Sequence, residues 1–277
     1  MSAPSPTNRS TVLTFSPGDL GTALARLREA APLVHCLTNI VVAQWTANVL
    51  LAAGASPVMV DNPHEAGSFA AVADGVLVNL GTPYDDTTAA MSHAVTGAAG
   101  ANTPWVLDPV GAGVLEWRTR IALDLLARST PAIIRGNASE ILALSGGRGG
   151  KGVQTVDTPE SALRAARETA REHGSVVAVS GAVDHLTDGD RVVRVSNGDV
   201  LLTKVTGVGC ALGALMAGFC GVVEDPLLAA TAATATLTVA AEAAAEASRG
   251  PGTFAVALLD ELAMLTPQDL VDRVRLS

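Results

Sequence analysis

Short apolar runs alternate with helical patterns along most of this chain, and that alternation restricts the fold more than any other feature. Residues 33–37, 57–60, 76–80, 105–107, 132–134 and 176–179 are runs of mostly Val, Leu and Ile; helical patterns over 41–53, 63–73, 85–99, 118–127, 138–144 and 159–173 separate most of them. Strands separated by helices pair in parallel, and the helices then cover both faces of the sheet. The expected class is α/β, a three-layer αβα arrangement with a mostly parallel central sheet. Leu186-Thr187 and the run 191–195 flank Asp188-Gly189, a hairpin signal that predicts antiparallel strands at the sheet edge. Ser16-Pro17 with Asp19, and Thr158-Pro159-Glu160, each place a cap before proline at a helix start. No Pro-, Gly- and Ser-rich linker divides the chain. The expectation is a flexible N-terminal segment over 1–15, without the apolar stretch of a signal peptide, and one domain over 16–277.

Charge narrows the function classes. Charged residues make up 16% of the 277 residues, below the roughly 25% usual in soluble proteins, and the net charge is -9. Nucleic acids and anionic membranes need clustered Lys and Arg, so both are poor partners for this chain. Residues 32–60 contain no Asp, Glu, Lys or Arg at all. A membrane helix needs about 20 mostly apolar residues, whereas His35, Thr38, Asn39, Gln44, Asn48, Gly54 and Pro57 split this stretch into a strand, a helix and a strand. The Ala- and Thr-rich residues 229–247 read as a buried helix of a soluble protein. Cys36, Cys210 and Cys220 form no CxxC pair and no even framework, which suits a reducing cytoplasm.

Three glycine-rich segments compete for a functional role. Residues 146–152 (GGRGGKG) lack the first Gly, the terminal hydroxyl and the preceding strand of a phosphate loop. Residues 207–213 (GVGCALG) resemble a dinucleotide fingerprint, but no second strand ending in an acidic residue follows. That weakens a dinucleotide oxidoreductase. What remains is a run at 201–205 that reads as a strand, then a glycine turn, then a helix start with Cys210 in its first turn. Free N–H groups and the helix dipole favour an anion there and are expected to lower the thiol pKa. A turn kept for close packing around a small buried cysteine would give the same pattern. Cys36 and Cys220 read as core residues.

Polar groups fall at the carboxyl ends of the predicted strands, where open α/β sheets place ligands. Asn79 ends one strand and Asp108 another; Arg135-Gly136-Asn137-Ala138-Ser139-Glu140 follows a third, and Ser180 a fourth. A carboxylate pair such as Asp108 and Glu140 suits magnesium, which takes few protein oxygens plus water and substrate phosphates.

At these residues the chain resembles the hydroxyethylthiazole kinase family of the ribokinase-like superfamily. The resemblance rests on residues 32–39 (PLVHCLTN), 54–59 (GASPVM), 107–113 (LDPVGAG), 134–140 (IRGNASE), 196–198 (SNG), 202–210 (LTKVTGVGC) and 250–252 (GPG). It implies an ATP- and magnesium-dependent kinase of thiamine salvage that phosphorylates the hydroxyl of 4-methyl-5-(2-hydroxyethyl)thiazole. Carried over by position, it implies Met59 and Gly207 at the thiazole, Arg135 and Ser180 at ATP, Asp108 and Glu140 at magnesium, and Cys210 as the catalytic cysteine. It also implies a homotrimer with active sites between subunits. The family pattern has Thr where Val208 and Ser180 stand; Val208 hands phosphate contact to backbone N–H groups, while Ser180 keeps a hydroxyl. The alternatives are a ribokinase-like kinase for another small alcohol, such as hydroxymethylpyrimidine, and a non-catalytic ATP-binding protein.

Overall fold

The structure, a computed structural model, describes residues 15–145 and 159–277. The expected flexible segment, apart from Phe15, lies outside the described residues, as do the glycine-dense 146–152 and Thr158. The elements are α1 (Pro17–Ala30), β1 (Leu33–Leu37), α2 (Ala43–Ala53), β2 (Ser56–Val58), α3 (Ala66–Ala70), β3 (Gly75–Asn79), α4 (Asp85–Ala101), β4 (Trp105–Asp108), α5 (Glu116–Arg128), β5 (Ile133–Asn137), α6 (Ala138–Leu144), α7 (Pro159–His173), β6 (Val176–Ser180), β7 (Asp184–Thr187) and β8 (Val192–Val195), then a 3-10 helix (Val200–Lys204), α8 (Val208–Cys220), α9 (Pro226–Glu246), α10 (Pro251–Met264) and α11 (Pro267–Arg273). At the start of α1 the anticipated cap is present and takes the form of a capping box: Ser16 Oγ accepts from the Asp19 N–H, and the Asp19 carboxylate accepts from the Ser16 N–H at 2.8 Å.

One sheet holds all eight of these strands in the order β2-β1-β3-β4-β5-β6-β7-β8, parallel from β2 through β6 and antiparallel over β6-β7-β8. Successive strand residues face opposite sides. Val34, Cys36, Leu77, Val106, Ile133 and Val176 join α1, α2, α8, α9 and α10 in one apolar cluster, while Leu37, Val76, Val78, Leu107, Ile134 and Val177 join the helices between β2 and β6 in the other. Small residues let the layers approach closely. A Cβ on Gly75 would fall 2.1 Å from the Ala217 carbonyl oxygen, so α8 runs backbone-close over β3. Glycine in this strand spares the space that helix needs. The α9 helix has the length and composition to cross a membrane, yet 83% of its most apolar window is buried in the fold, so it packs as a core helix.

Three boundaries differ from expectation in ways that matter. The run at 201–205 is not a strand: Asp199 caps a 3-10 helix through the Leu201 N–H at 2.8 Å, and no strand leads into the glycine turn. Arg135, Gly136 and Asn137 belong to β5 instead of following it. The helix at 63–73 contracts to Ala66–Ala70, because Asn62 turns the chain by accepting the His64 N–H through Oδ1 and the Ala66 N–H through its carbonyl.

Candidate active site

Five neighbouring parallel strands bring one polar side chain each to the carboxyl end of the sheet. Asn39 stands just beyond β1, Asn79 ends β3, Asp108 ends β4, Arg135 lies in β5 and Ser180 ends β6; the row therefore crosses β1-β3-β4-β5-β6. Asn39 Nδ2 donates to Asn79 Oδ1 at 2.9 Å, and Asn79 Nδ2 donates to Asp108 Oδ2 at 2.7 Å. Arg135 Nη1 lies 3.6 Å from Asp108 Oδ2, and Arg135 Nη2 donates to Ser180 Oγ at 2.9 Å.

The α8 helix starts on this row. Gly207 is its N-cap with φ +90, and the first ladder bond runs from the Ala211 N–H to the Gly207 carbonyl, which leaves the N–H groups of Val208, Gly209 and Cys210 ahead of the ladder. A side chain at Gly207 would meet Val42 Cγ1 at 2.5 Å and Trp45 Cδ1 at 3.1 Å. A Cβ on Gly209 would lie 2.8 Å from Arg135 Nη2, so the guanidinium rests against the positive end of the helix. Two positive groups meet there, and an anion between them would satisfy both.

Asp108 is fully buried, and burial pushes its carboxyl up to about 6; the nearby Glu140 charge adds to the rise, while Arg135 and Asn79 oppose it. Its Oδ1 is buried without a hydrogen-bond partner, as is Arg135 Nε. Glu140 accepts the Gly111 N–H through Oε1 at 3.0 Å and the Asn137 N–H through Oε2 at 2.9 Å, tying the loop after β4 to the start of α6. An uncompensated carboxylate oxygen beside a second carboxylate fits a divalent cation arriving with phosphate oxygens. No group of three or more His, Cys, Asp or Glu that could hold a metal occurs among the described residues, so water and ligand oxygens would complete the coordination shell.

Cys210 departs from expectation. Burial raises its thiol pKa and the Asp108 charge raises it further, outweighing Asn79, Arg135 and the Asn39 Nδ2 donor 3.5 Å from Sγ. Loss of solvent at the helix start raises the thiol pKa where the helix start alone predicts a lowering. Cys36 and Cys220 pack with the core, and burial holds both thiols at about 12.

Met59 stands apart from the row. It follows β2 at the sheet edge and is 37% exposed; three strand spacings of about 4.8 Å place it roughly 14 Å from Asp108. Gly207, the N-cap of α8, lies against Val42 and Trp45. Asp184, at the start of β7, was not anticipated. It accepts the Gly181 N–H at 3.0 Å, and burial pushes its carboxyl up to about 6 against the opposing charge of Arg135. An acidic residue where the chain leaves the parallel sheet was the available signal.

The profile of the hydroxyethylthiazole kinase family matches residues 24–268. A hydroxyethylthiazole kinase of Cutibacterium acnes is 58% identical over 252 residues, 91% of either chain. A solved hydroxyethylthiazole kinase structure from Pyrococcus horikoshii superimposes with a TM-score of 0.87 at 41% identity, covering 93% of this chain and 98% of that one. A ribokinase-like superfamily protein of Enterococcus faecalis shares the fold at a TM-score of 0.65 and 11% identity, covering 91% and 96%. The three-layer architecture is thus ribokinase-like, and the chain belongs to the hydroxyethylthiazole kinase family.

Proposed function

We propose that this protein transfers the γ-phosphoryl group of ATP to the hydroxyl of 4-methyl-5-(2-hydroxyethyl)thiazole, releasing ADP and the thiazole phosphate for thiamine synthesis. The observation that carries the reading is the meeting of Arg135 with the N-terminus of α8 beside Cys210, over a polar row with buried Asp108 at its centre. Phosphoryl transfer asks a protein mainly for positioning and charge neutralisation. Arg135 and Ser180 hold the ATP phosphates, and the N–H groups of Val208, Gly209 and Cys210 receive the transferred group. Met59 and Gly207 hold the thiazole so that its alcohol oxygen faces the γ-phosphorus. Cys210 Sγ accepts the alcohol proton as the new O–P bond forms and the bond to the ADP oxygen breaks. The accepting form is the thiolate: the raised pKa makes it scarce at neutral pH but more basic where it forms, and in a loose transition state the alcohol proton leaves late. Asp108 and Glu140 would hold magnesium, which neutralises phosphate charge when bound.

The enzyme works as one domain over 16–277, in the cytoplasm, as a homotrimer with active sites between subunits. Exposed apolar side chains support the assembly: Ile40 and Val41 follow β1 beside the site, and Val200 precedes α8. Sedimentation at micromolar concentration tests it, and a monomer would contradict it. The activity is tested by ADP release with magnesium-ATP and a panel of hydroxyethylthiazole, hydroxymethylpyrimidine and pyridoxal. Turnover with hydroxyethylthiazole is expected; ADP release with hydroxymethylpyrimidine alone would transfer the reading to that substrate, and none with any alcohol would leave an ATP-binding protein.

A further inference from the structure

The β1-β2 ladder stops at the pair His35 and Val58, so Met59 and Val60 leave the sheet with no strand partner on that side. What holds them is a side chain. His35 is fully buried, and its Nε2 lies 2.7 Å from the Val60 carbonyl oxygen. A carbonyl only accepts, so Nε2 carries the proton and Nδ1 is the bare nitrogen. Nδ1 is buried with no hydrogen-bond partner, and burial lowers the pKa, so the ring is neutral. The same ring packs edge-on against Phe69 of α3, with centroids 5.1 Å apart and an interplanar angle of 82°. The segment between β2 and α3 is thus pinned from below by one imidazole, through its backbone at Val60 and through the helix that follows.

We infer that His35 is a positioning residue for the alcohol substrate: by bonding the Val60 carbonyl and bracing Phe69, it sets where Met59 presents its side chain, and it has no part in holding ATP. The inference rests on the assignment of Met59 to the thiazole. Its place in the fold separates it from the nucleotide machinery, since β2 is the edge strand farthest from β6 and Ser180 in the parallel part of the sheet.

The test compares two amides of different reach. In His35→Gln the amide nitrogen reaches the position of Nε2, whereas in His35→Asn it reaches only that of Nδ1, so the chemistry is kept and the bond to Val60 is kept or lost. Loss of one oriented hydrogen bond is expected to raise the KM for hydroxyethylthiazole by about tenfold in His35→Asn, with His35→Gln within about threefold of the parent and the KM for ATP within about twofold in both. In a Met59→Ala background the Gln and Asn variants should no longer differ, because the residue they position is gone. The inference is overturned if the two variants have equal KM values for the thiazole, if the KM for ATP rises in parallel, or if their difference persists without Met59. An unchanged thiazole KM in Met59→Ala alone would remove the Met59 assignment and this inference with it. A parent protein that releases no ADP would instead remove the kinase reading.

Discussion

Asn79 and Asp108 are register partners at the ends of two neighbouring parallel strands, and the Asn79 amide nitrogen donates to the Asp108 carboxylate at 2.7 Å. The orientation of that amide is set by the backbone. Asn79 Oδ1 accepts the Gly81 N–H at 3.0 Å as well as Asn39 Nδ2, so only its nitrogen is left to face Asp108. A single glycine N–H two residues on thereby orients Asn79 and, through it, Asn39, whose nitrogen also lies against Cys210 Sγ. Cys210, assigned to the proton, and Asp108, one of the two carboxylates assigned to magnesium, are thus joined by one amide relay.

Asn79→Ala should therefore cost more than one hydrogen bond. It leaves Asn39 Nδ2 and the Gly81 N–H without their acceptor and removes a donor from a buried carboxylate. Urea unfolding is expected to show a loss of about 2 to 3 kcal/mol, and turnover should fall at least tenfold. A loss under about 0.5 kcal/mol would mean that water replaces the amide and that the relay is not structural.

Cys210→Ala should lower turnover by about 10 to 10⁴-fold, the range for a positioned base, with the KM for ATP nearly unchanged. Because the thiol pKa lies above its ordinary value, the thiolate fraction is small at neutral pH and grows as pH rises. The parent rate should accordingly climb between pH 7 and 9 by more than that of the alanine variant. Equal rates for the two proteins would reduce Cys210 to a packing residue.

The strand and helix beat was legible because both periodicities report burial, and burial is what the sheet and its two helical layers impose. The same logic misread 201–205, where Leu and Val runs pack on the core from a 3-10 helix whose backbone is tied up locally by Asp199. Strand-end residues Asn79, Asp108, Arg135 and Ser180 were legible as a site because parallel strands end on one side. The relay among them was not: Asn39 and Asn79 are 40 residues apart, and amide orientation depends on the Gly81 N–H. Nor was the direction of the Cys210 shift legible, since it depends on how deeply the fold buries the thiol and, after that, on the Asp108 charge beside it.

Asp184→Asn should make stability less dependent on pH. The folded carboxyl titrates at about 6 and the unfolded one near its ordinary 3.8. Below 3.8 both states hold the proton and Asp184 has no effect. As pH rises toward 6 the unfolded state ionises first, so stability falls across that window and the cost is fully present above it. Asparagine keeps an acceptor for the Gly181 N–H without the charge. The variant is expected to gain on the order of 1 to 3 kcal/mol over the parent at pH 8 and nothing at pH 3, read from urea midpoints. Equal midpoints at pH 8 would show that Arg135 compensates the carboxylate in full.

Arg135→Met should separate the two substrates. The guanidinium has Asp108 on one side, Ser180 on another and the start of α8 above it, so its loss removes positive charge from the phosphate position and leaves Asp108 without its cation. Hydrogen bonds from a charged donor to phosphate are stronger than neutral ones, and the KM for ATP should rise about 10- to 100-fold. The KM for hydroxyethylthiazole should stay within about threefold, because that molecule carries no phosphate before reaction and its contacts lie toward β2. Asp108, with one opposing influence removed, should hold its proton to higher pH than the parent's value of about 6. Steady-state kinetics with each substrate varied in turn decides the matter: a parallel rise in both KM values would assign Arg135 to the architecture of the row instead of to ATP.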